Sequence, residues 1–265
     1  MHSLIDIGLN LTEKQFVKDR EEVVKRAIQN GVGQMILTGS SVEGSKESLK
    51  IAQQYPQILF STAGIHPHDA NEFHQGSIHE LRQLAKQKEV VAIGECGLDF
   101  NRMYSPQKIQ EECFEAQLDL AKEMDMPLFL HVRDAQARFV DIMKNHQDQI
   151  EKSVVHCFTG NKTEVKELVS MGFHIGITGW ICDERRGKEL QEAVQYIPLD
   201  RLMIETDAPY LTPRTLKPKP KHGRNEPAFL PHIVGEIAKY MCVSPEEIIS
   251  HSIENTQRFF HLEMN

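Results

Sequence analysis

Short apolar runs of five to eight residues recur along this chain, and a longer segment of mixed polar and apolar residues follows most of them. The longer segments place apolar residues three or four positions apart with charges between them, which predicts amphipathic helices, for example at 21–29, 107–123 and 188–196. Short apolar runs of this kind are typical of strands that are buried on both faces of a parallel sheet. The alternation of the two patterns therefore predicts an α/β fold.

The apolar runs number eight, which is the count that closes a barrel. They cover residues 4–9, 34–39, 58–65, 90–95, 127–131, 153–158, 173–179 and 201–207. Eight strand–helix repeats predict a (β/α)8 TIM barrel. The alternative is a doubly wound open sheet, but no GxGxxG motif follows the first run, which disfavours its dinucleotide-binding version. The tail from Pro227 onward has further helical patterns, so we expect one domain, 1–265, with extra C-terminal helices.

Composition narrows the range of functions. A chain of 265 residues with 40% hydrophobic residues fits one barrel, and its five cysteines lack CxxC spacing, which indicates reduced thiols. No run reaches the roughly 18 apolar residues of a membrane span, and the start of the chain lacks a signal-peptide pattern. We therefore expect a cytoplasmic protein without membrane contact. A net charge of −8 argues against a broad DNA-coating surface, so any nucleic acid must meet a local basic patch.

Metal-competent side chains stand on or after several of the predicted strands. They are Asp6, Asn10, His66, His68, Glu95, His131, His156 and Asp207. The carboxyl ends of barrel strands converge on one face, so side chains that are distant in sequence meet there. Gly94 and Gly97 flank the predicted tip residue Glu95 and would let the backbone turn closely around it. Carboxylates and imidazoles from different strands predict a shared site for a divalent metal ion.

Seven segments carry a more specific signal. They read G-I-H-P-H-D (64–69), G-E-C-G-L-D-F (94–100), P-L-F-L-H-V-R-D-A (127–135), H-C-F-T-G (156–160), G-I-T-G-W-I-C-D-E-R-R-G (176–187), E-T-D-A-P-Y-L-T-P-R (205–214) and R-N-E-P (224–227). Together they resemble the motifs of the TatD-like deoxyribonucleases, relatives of the metal-dependent amidohydrolase barrels. The resemblance implies a metal-dependent exonuclease that trims single-stranded DNA or RNA from the 3′ end, in DNA repair or nucleic-acid turnover.

The same resemblance assigns roles to individual residues. It implies that Glu95, His131 and His156 are metal ligands, and that Asp207 is a further ligand and the base for the attacking water. Glu95 and Asp207 are thus the expected catalytic residues. The chemistry agrees, because a divalent metal ion acidifies water and polarises a phosphoryl oxygen. We expect Mg2+; Mn2+ or Zn2+ are the alternatives, because histidine ligands by themselves favour those ions.

Strand one departs from the family pattern. Many relatives have D-x-H-x-H there, whereas this chain has D-I-G-L-N, so that Gly8 and Asn10 occupy the two histidine positions. We therefore expect one tight metal site and a second, weak one. Asp6 is expected to support the site without binding the metal.

Contacts to the substrate are expected from several polar and aromatic residues. They are His66, His68, Arg133, Trp180, Lys221 and Arg224. His66 can reach phosphate oxygens, whereas His68 is expected to act through another side chain. Arg133 either orients a ligand or opens the next helix, and Trp180 either stacks on bases or closes the core.

A basic loop favours the nuclease over two other functions. Residues 214–224 contain five Lys or Arg, two Pro and no acid, and include Lys221 and Arg224. A hydrolase of small amides or esters would share the barrel, and a non-enzymatic export-associated partner is the third hypothesis. A small uncharged amide has no use for a basic loop, whereas a phosphate backbone does. We expect a monomer.

Overall fold

The protein is represented by a computed structural model, which is described here for residues 3–263 apart from the side chains of Gln75 and Lys221. Within that range, eight strands form one sheet in sequential order. The strands are β1 (Leu4–Leu9), β2 (Val32–Leu37), β3 (Leu59–Ala63), β4 (Val90–Asp99), β5 (Leu128–Arg133), β6 (Ser153–Val155), β7 (His174–Ile177) and β8 (Leu202–Ile204). The helices are α1 (Arg20–Gln29), α2 (Val42–Ala52), α3 (Gln75–Leu84), α4 (Gln107–Met124), α5 (Gln136–Met143), α6 (Lys162–Met171), α7 (Lys188–Ala193), α8 (Leu230–Met241) and α9 (Pro245–Phe260). The predicted (β/α)8 TIM barrel class is confirmed.

The contacts of the chain group its residues into two compact units. The first unit contains the residues up to Ile36, residues 157–170 and the chain from His174 onward. The second unit contains Leu37–His156 and residues 171–173. The expected single domain over 1–265 stays a prediction.

Aromatic side chains fill the core of the second unit. Phe114 of α4 stacks on Phe139 of α5 with 5.7 Å between the ring centroids, and Phe139 also contacts Phe173 at 5.6 Å. All three rings are buried. Burial of such side chains stabilises a fold by about 1.5–3 kcal/mol each, so this cluster fixes α4 and α5 firmly beneath the strands that carry the polar residues.

The C-terminal helices of the first unit form as the sequence predicts. Ser244 and Glu247 make a capping box at the start of α9, and Pro245 occupies its first turn, where a missing N–H costs nothing. Phe259 and Phe260 at the end of α9 are buried, which anchors the helix in this unit. Within residues 3–263, no helix is both long and apolar enough to cross a membrane.

Strand β4 is longer than the sequence suggests. We predicted that it ends at Glu95, whereas it continues to Asp99. The reason lies in Gly94 and Gly97, whose φ angles are +136° and +142°. A Cβ atom at Gly94 would collide with the carbonyl oxygen of Phe129, so only glycine lets β4 continue this closely beside β5. The two glycines therefore extend the strand past Glu95 rather than turning the chain away.

Candidate metal centre

A β-bulge presents Glu95. The parallel register between β4 and β5 pairs Gly94 with Phe129 and Cys96 with Leu130, so the intervening Glu95 has no counterpart on β5. Its backbone N–H instead donates to the carbonyl oxygen of Gly39 at 2.7 Å. Bulges redirect a side chain and are common beside active sites. The sequence therefore places one buried carboxylate at this point of the sheet, and it is only 8% exposed.

Three imidazole rings converge on one oxygen of this carboxylate. Oε1 of Glu95 lies 2.6 Å from Nε2 of His156 and 2.9 Å from Nδ1 of His131. Nε2 of His66 lies 3.3 Å from the same oxygen. His156 directly follows β6, and His131 lies on β5 opposite Gly97. The structure thus brings together the three side chains expected to bind metal, and their role as ligands stays a prediction.

Electrostatic effects keep the carboxylate of Glu95, at the centre of the cluster, ionised. Burial alone would raise the pKa of Glu95, but His156, His66 and His131 outweigh burial and hold that pKa well below its usual range. Burial lowers the pKa of His66, which favours a neutral ring. Burial acts in the same direction on His131, but its contacts with Asp99 and Glu95 prevail and raise its pKa. An ionised carboxylate beside a neutral imidazole is a suitable donor set for a cation.

The hydrogen bonds of His66 indicate a donor rather than a ligand. Its Nδ1 accepts the backbone N–H of His68 at 3.0 Å, so that nitrogen carries no proton. In the neutral ring the proton is then on Nε2, the nitrogen that faces Glu95. A protonated nitrogen cannot bind a metal ion. His66 therefore suits the expected contact with substrate oxygens better than a place among the ligands.

The donor set fits a divalent metal ion. Nδ1 of His131 and Nε2 of His156 lie 2.9 and 2.6 Å from the same oxygen of Glu95, and a ring nitrogen of His66 lies within 4.8 Å of Glu95 and His131. The buried Nε2 of His131 has no well-aligned hydrogen-bond partner within the described residues. One carboxylate oxygen surrounded by imidazole nitrogens matches the ligands of first-row divalent metals. The cluster can therefore hold a metal ion.

His68 reaches the cluster through Asp99. Its Nε2 lies 2.7 Å from Oδ2 of Asp99, and the edge of its ring contacts His66, with 4.2 Å between the ring centroids. The expected role of His68, acting through another side chain, stays a prediction. Asp99 itself was not among the candidate residues. A signal was present, because Asp99 follows Glu95 by four residues within the segment G-E-C-G-L-D-F (94–100).

Asp207 lies in the first unit and contacts the end of strand one. Its Oδ1 accepts a hydrogen bond from Nδ2 of Asn10 at 2.8 Å, and its backbone N–H donates to the carbonyl oxygen of Gly8 at 2.8 Å. Its φ angle of 54° places it in the left-handed region. The sequence indicated Asn10 only as a metal-competent side chain in the place of a histidine. The structure adds that its amide fixes the carboxylate of the expected catalytic base.

Asp6 connects β1 to the segment that carries Asp207. Asp6 lies within β1 and is fully buried. Its carboxylate accepts the backbone N–H and the hydroxyl of Thr206 at 2.9 and 2.5 Å, and the N–H of Gly8 at 3.2 Å. Burial raises its pKa to about 7 despite these donors. Its contacts favour the expected supporting role.

Two of the expected substrate contacts have partners within the protein. Arg133 is the last residue of β5, is half-buried, and accepts the backbone N–H of Phe100 with its carbonyl oxygen at 2.9 Å. Trp180 lies in a short 3-10 helix, Gly179–Cys182, and the guanidinium of Arg186 stands 4.6 Å from its ring centroid. A cation over an indole ring occupies the surface on which a base would stack. Both assignments to the substrate stay predictions.

Arg224 fixes the basic loop to the first unit. Its guanidinium donates to both carboxylate oxygens of Asp19 at 2.9 and 2.7 Å, to Glu226 at 2.6 Å and to the carbonyl oxygen of Gln15 at 2.6 Å. These acceptors indicate a structural role, so its expected contact with phosphate stays a prediction. The side chain of Lys221 lies outside the described residues, whereas Lys219 in the same loop is exposed.

The fold and the cluster define a class of protein: a (β/α)8 barrel that gathers histidines and a carboxylate into a site able to hold a metal ion. The family model for TatD related DNase matches residues 5–261, and the chain belongs to this family. The predicted family is therefore confirmed.

Known proteins resemble the chain over its whole length. The chain is 49% identical over 259 residues to the 3′-5′ ssDNA/RNA exonuclease TatD of Pectobacterium atrosepticum. The aligned residues cover 98% of this chain and 100% of that protein. It is 28% identical to the solved structure of YJJV, a TatD homologue of Escherichia coli K12, with a TM-score of 0.89 and 98% coverage of both chains. A TatD-family hydrolase of Entamoeba histolytica is also 28% identical, with a TM-score of 0.88 and 99% coverage of both chains.

Proposed function

We propose that this protein is a metal-dependent nuclease that hydrolyses phosphodiester bonds of single-stranded DNA and RNA from the 3′ end. The observation that carries the proposal is the convergence of three imidazole nitrogens within 3.3 Å of one buried carboxylate oxygen. The 49% identical relative named as a 3′-5′ ssDNA/RNA exonuclease supports the substrate and the polarity. A cytoplasmic, monomeric enzyme of DNA repair or nucleic-acid turnover belongs to the same proposal.

Glu95, His131 and His156 would hold the metal ion. We favour Mg2+ with Mn2+ as a substitute, because Mg2+ keeps several water molecules and needs few protein ligands; Zn2+ suits the imidazoles. When bound, the ion supplies a Lewis acid for a phosphoryl oxygen and lowers the pKa of water. The lowered pKa of Glu95 keeps this side chain charged at neutral pH, so that its oxygen is available to a cation.

The protein's own side chains orient the substrate and move the proton. His66 carries its proton on Nε2 and donates it in a hydrogen bond to a phosphate oxygen at the site. Asp207, oriented by the amide of Asn10, accepts the proton of the attacking water. Asp6 holds Thr206, the neighbour of Asp207, through two hydrogen bonds, which limits the positions open to that carboxylate.

End-labelled single strands test the proposal directly. With Mg2+, a 5′-labelled strand should give a ladder of shorter products, and a 3′-labelled strand should release a labelled mononucleotide at once. A chelator should stop both reactions. Glu95→Gln should be inactive while folded, whereas the control Glu89→Gln, a change in a buried carboxylate just before the start of β4, should remain active. Full activity of Glu95→Gln, or no cleavage with Mg2+, Mn2+ or Zn2+, would contradict the proposal.

A further inference from the structure

Asp99 is held in one orientation at the end of β4. Its Oδ1 accepts the backbone N–H groups of Asn101 and Arg102 at 2.9 and 2.8 Å. Its own backbone N–H donates to Oε1 of Gln110 at 2.9 Å, and Nε2 of Gln110 donates back to its carbonyl oxygen at 3.0 Å. The residue is 3% exposed. The carboxylate therefore cannot rotate without losing two hydrogen bonds, which fixes the direction of Oδ2.

Oδ2 of Asp99 faces two histidines of the candidate centre. It lies 2.7 Å from Nε2 of His68 and 3.4 Å from Nε2 of His131. The other ring nitrogen of His131, Nδ1, lies 2.9 Å from Glu95. The ring of His131 is thus placed between two carboxylates, and each nitrogen faces one of them.

We infer that Asp99 is a positioning residue of the metal centre: its negative charge, 3.4 Å from Nε2 of His131, favours the ring proton on that nitrogen and thereby leaves Nδ1 available to the metal ion. A histidine ligand must offer one unprotonated nitrogen and keep its proton on the other. Glu95 and Nδ1 of His131 are both expected to face the metal ion. Asp99 instead faces Nε2, the other nitrogen of the His131 ring. Carboxylates that orient ligand histidines in this way strengthen metal binding. The inference rests on the proposed function only for the identity of the ligands.

A purely structural role is the competing explanation, because Asp99 also supports a turn. The chain offers a matched control in Asp183, whose Oδ1 accepts the backbone N–H groups of Arg185 and Arg186 at 3.0 and 3.3 Å. The acceptor pattern, two and three residues downstream, is the same as at Asp99. The side chain of Asp183 pairs with these two arginines instead of with imidazoles. Replacement of Asp183 thus perturbs an equivalent turn without touching His131.

Asp99→Asn and Asp183→Asn separate the two explanations. An asparagine at position 99 can still accept from the turn, but its NH2 group would donate to Nε2 of His131 and favour a proton on Nδ1, the wrong nitrogen. We expect Asp99→Asn to bind Zn2+ and Mn2+ about 10–100-fold more weakly by calorimetry. Asp183→Asn should bind both ions as the unmodified protein does. Equal affinities of Asp99→Asn and the unmodified protein would overturn the inference.

The tautomer of His131 gives a second measurement that needs no variant at position 99. A long-range 1H–15N spectrum of the imidazoles in the Zn2+-loaded protein, assigned with His131→Gln, should show the His131 proton on Nε2. A proton on Nδ1 would overturn the inference even if Asp99→Asn failed to fold. Neither measurement uses nucleolysis. A protein with the expected tautomer and affinities that cleaves no nucleic acid would contradict the proposed function and leave the role of Asp99 intact.

Discussion

His174 on β7 should make the stability of the protein depend on pH. The ring is buried at 4% exposure, packs edge-on against Phe259 with 4.9 Å between centroids, and has no hydrogen-bond partner for either nitrogen within residues 3–263. Burial, together with the positive charges of Arg201 and Arg258, lowers the pKa of His174 from 6.5 to about 4. The folded protein therefore resists protonation of this ring.

The sign follows from the two pKa values. Above a pH of 6.5 the ring is neutral in both the folded and the unfolded states, so His174 adds no pH dependence. As the pH falls from 6.5 towards 4, the unfolded chain binds a proton that the folded protein does not, and stability decreases. At about 1.4 kcal/mol for each tenfold change in proton affinity, the full loss is about 3 kcal/mol, and about 2 kcal/mol of it is reached by about pH 5.

His174→Leu removes the titrating group and both unpartnered nitrogens. We expect the variant to gain about 2 kcal/mol relative to the unmodified protein when the pH changes from about 8 to about 5, because all other titrating groups are shared. Urea unfolding of the metal-free proteins at both pH values, with a chelator present, measures this difference. The exposed His79 in α3 provides the control, His79→Leu.

A pH-independent difference between His174→Leu and the unmodified protein would refute this reasoning. It would mean that the ring binds a proton as readily in the folded protein as in the unfolded chain, because a group or water at the site accepts a hydrogen bond from the charged ring. An equal pH dependence in the His79→Leu comparison would show that loss of a histidine anywhere in the chain is sufficient.

Three further changes test other parts of the structure. Asp207→Asn should abolish cleavage of end-labelled strands while circular dichroism stays unchanged, since an asparagine can still accept from Asn10 but cannot take a proton; residual cleavage near the normal rate would exclude it as the base. Arg224→Gln should lower the free energy of unfolding by about 1–3 kcal/mol, whereas Lys219→Gln should leave it unchanged and reduce the slope of log affinity against log salt by about one. If Lys219→Gln lowered the free energy of unfolding in urea and Arg224→Gln changed only the salt dependence of binding, the roles of both residues would be contradicted. Calorimetry should find one tight and one weak metal site, and Gly8→His with Asn10→His should strengthen the weak one; two equally tight sites in the unmodified protein would contradict this.

Local sequence patterns determined the order of elements and the membership of the site. Apolar runs and helical periodicity depend on neighbouring residues, so they were enough to predict eight strands, the helices between them and the helices of the tail. The rule that parallel strands end on one face placed Glu95, His131 and His156 among eight candidates from different parts of the chain, and the resemblance to the family then assigned these three as ligands. Chemistry of the side chains then indicated a divalent metal ion.

The tertiary structure alone decided how these side chains are presented. The bulge at Glu95 depends on the register between two strands, and that register depends on glycines that fit against carbonyl groups of β5. The ion pair of Arg224 with Asp19 joins residues 205 positions apart, so a basic loop that looked available to phosphate is tied to the protein.

The hydrogen bonds of the histidines show the same limit. The proton position on His66 depends on the backbone N–H of His68, and that on His131 depends on which of two carboxylates faces each nitrogen. A sequence names the residue type at each position, but the contacts that set these proton positions depend on the packing of the whole unit.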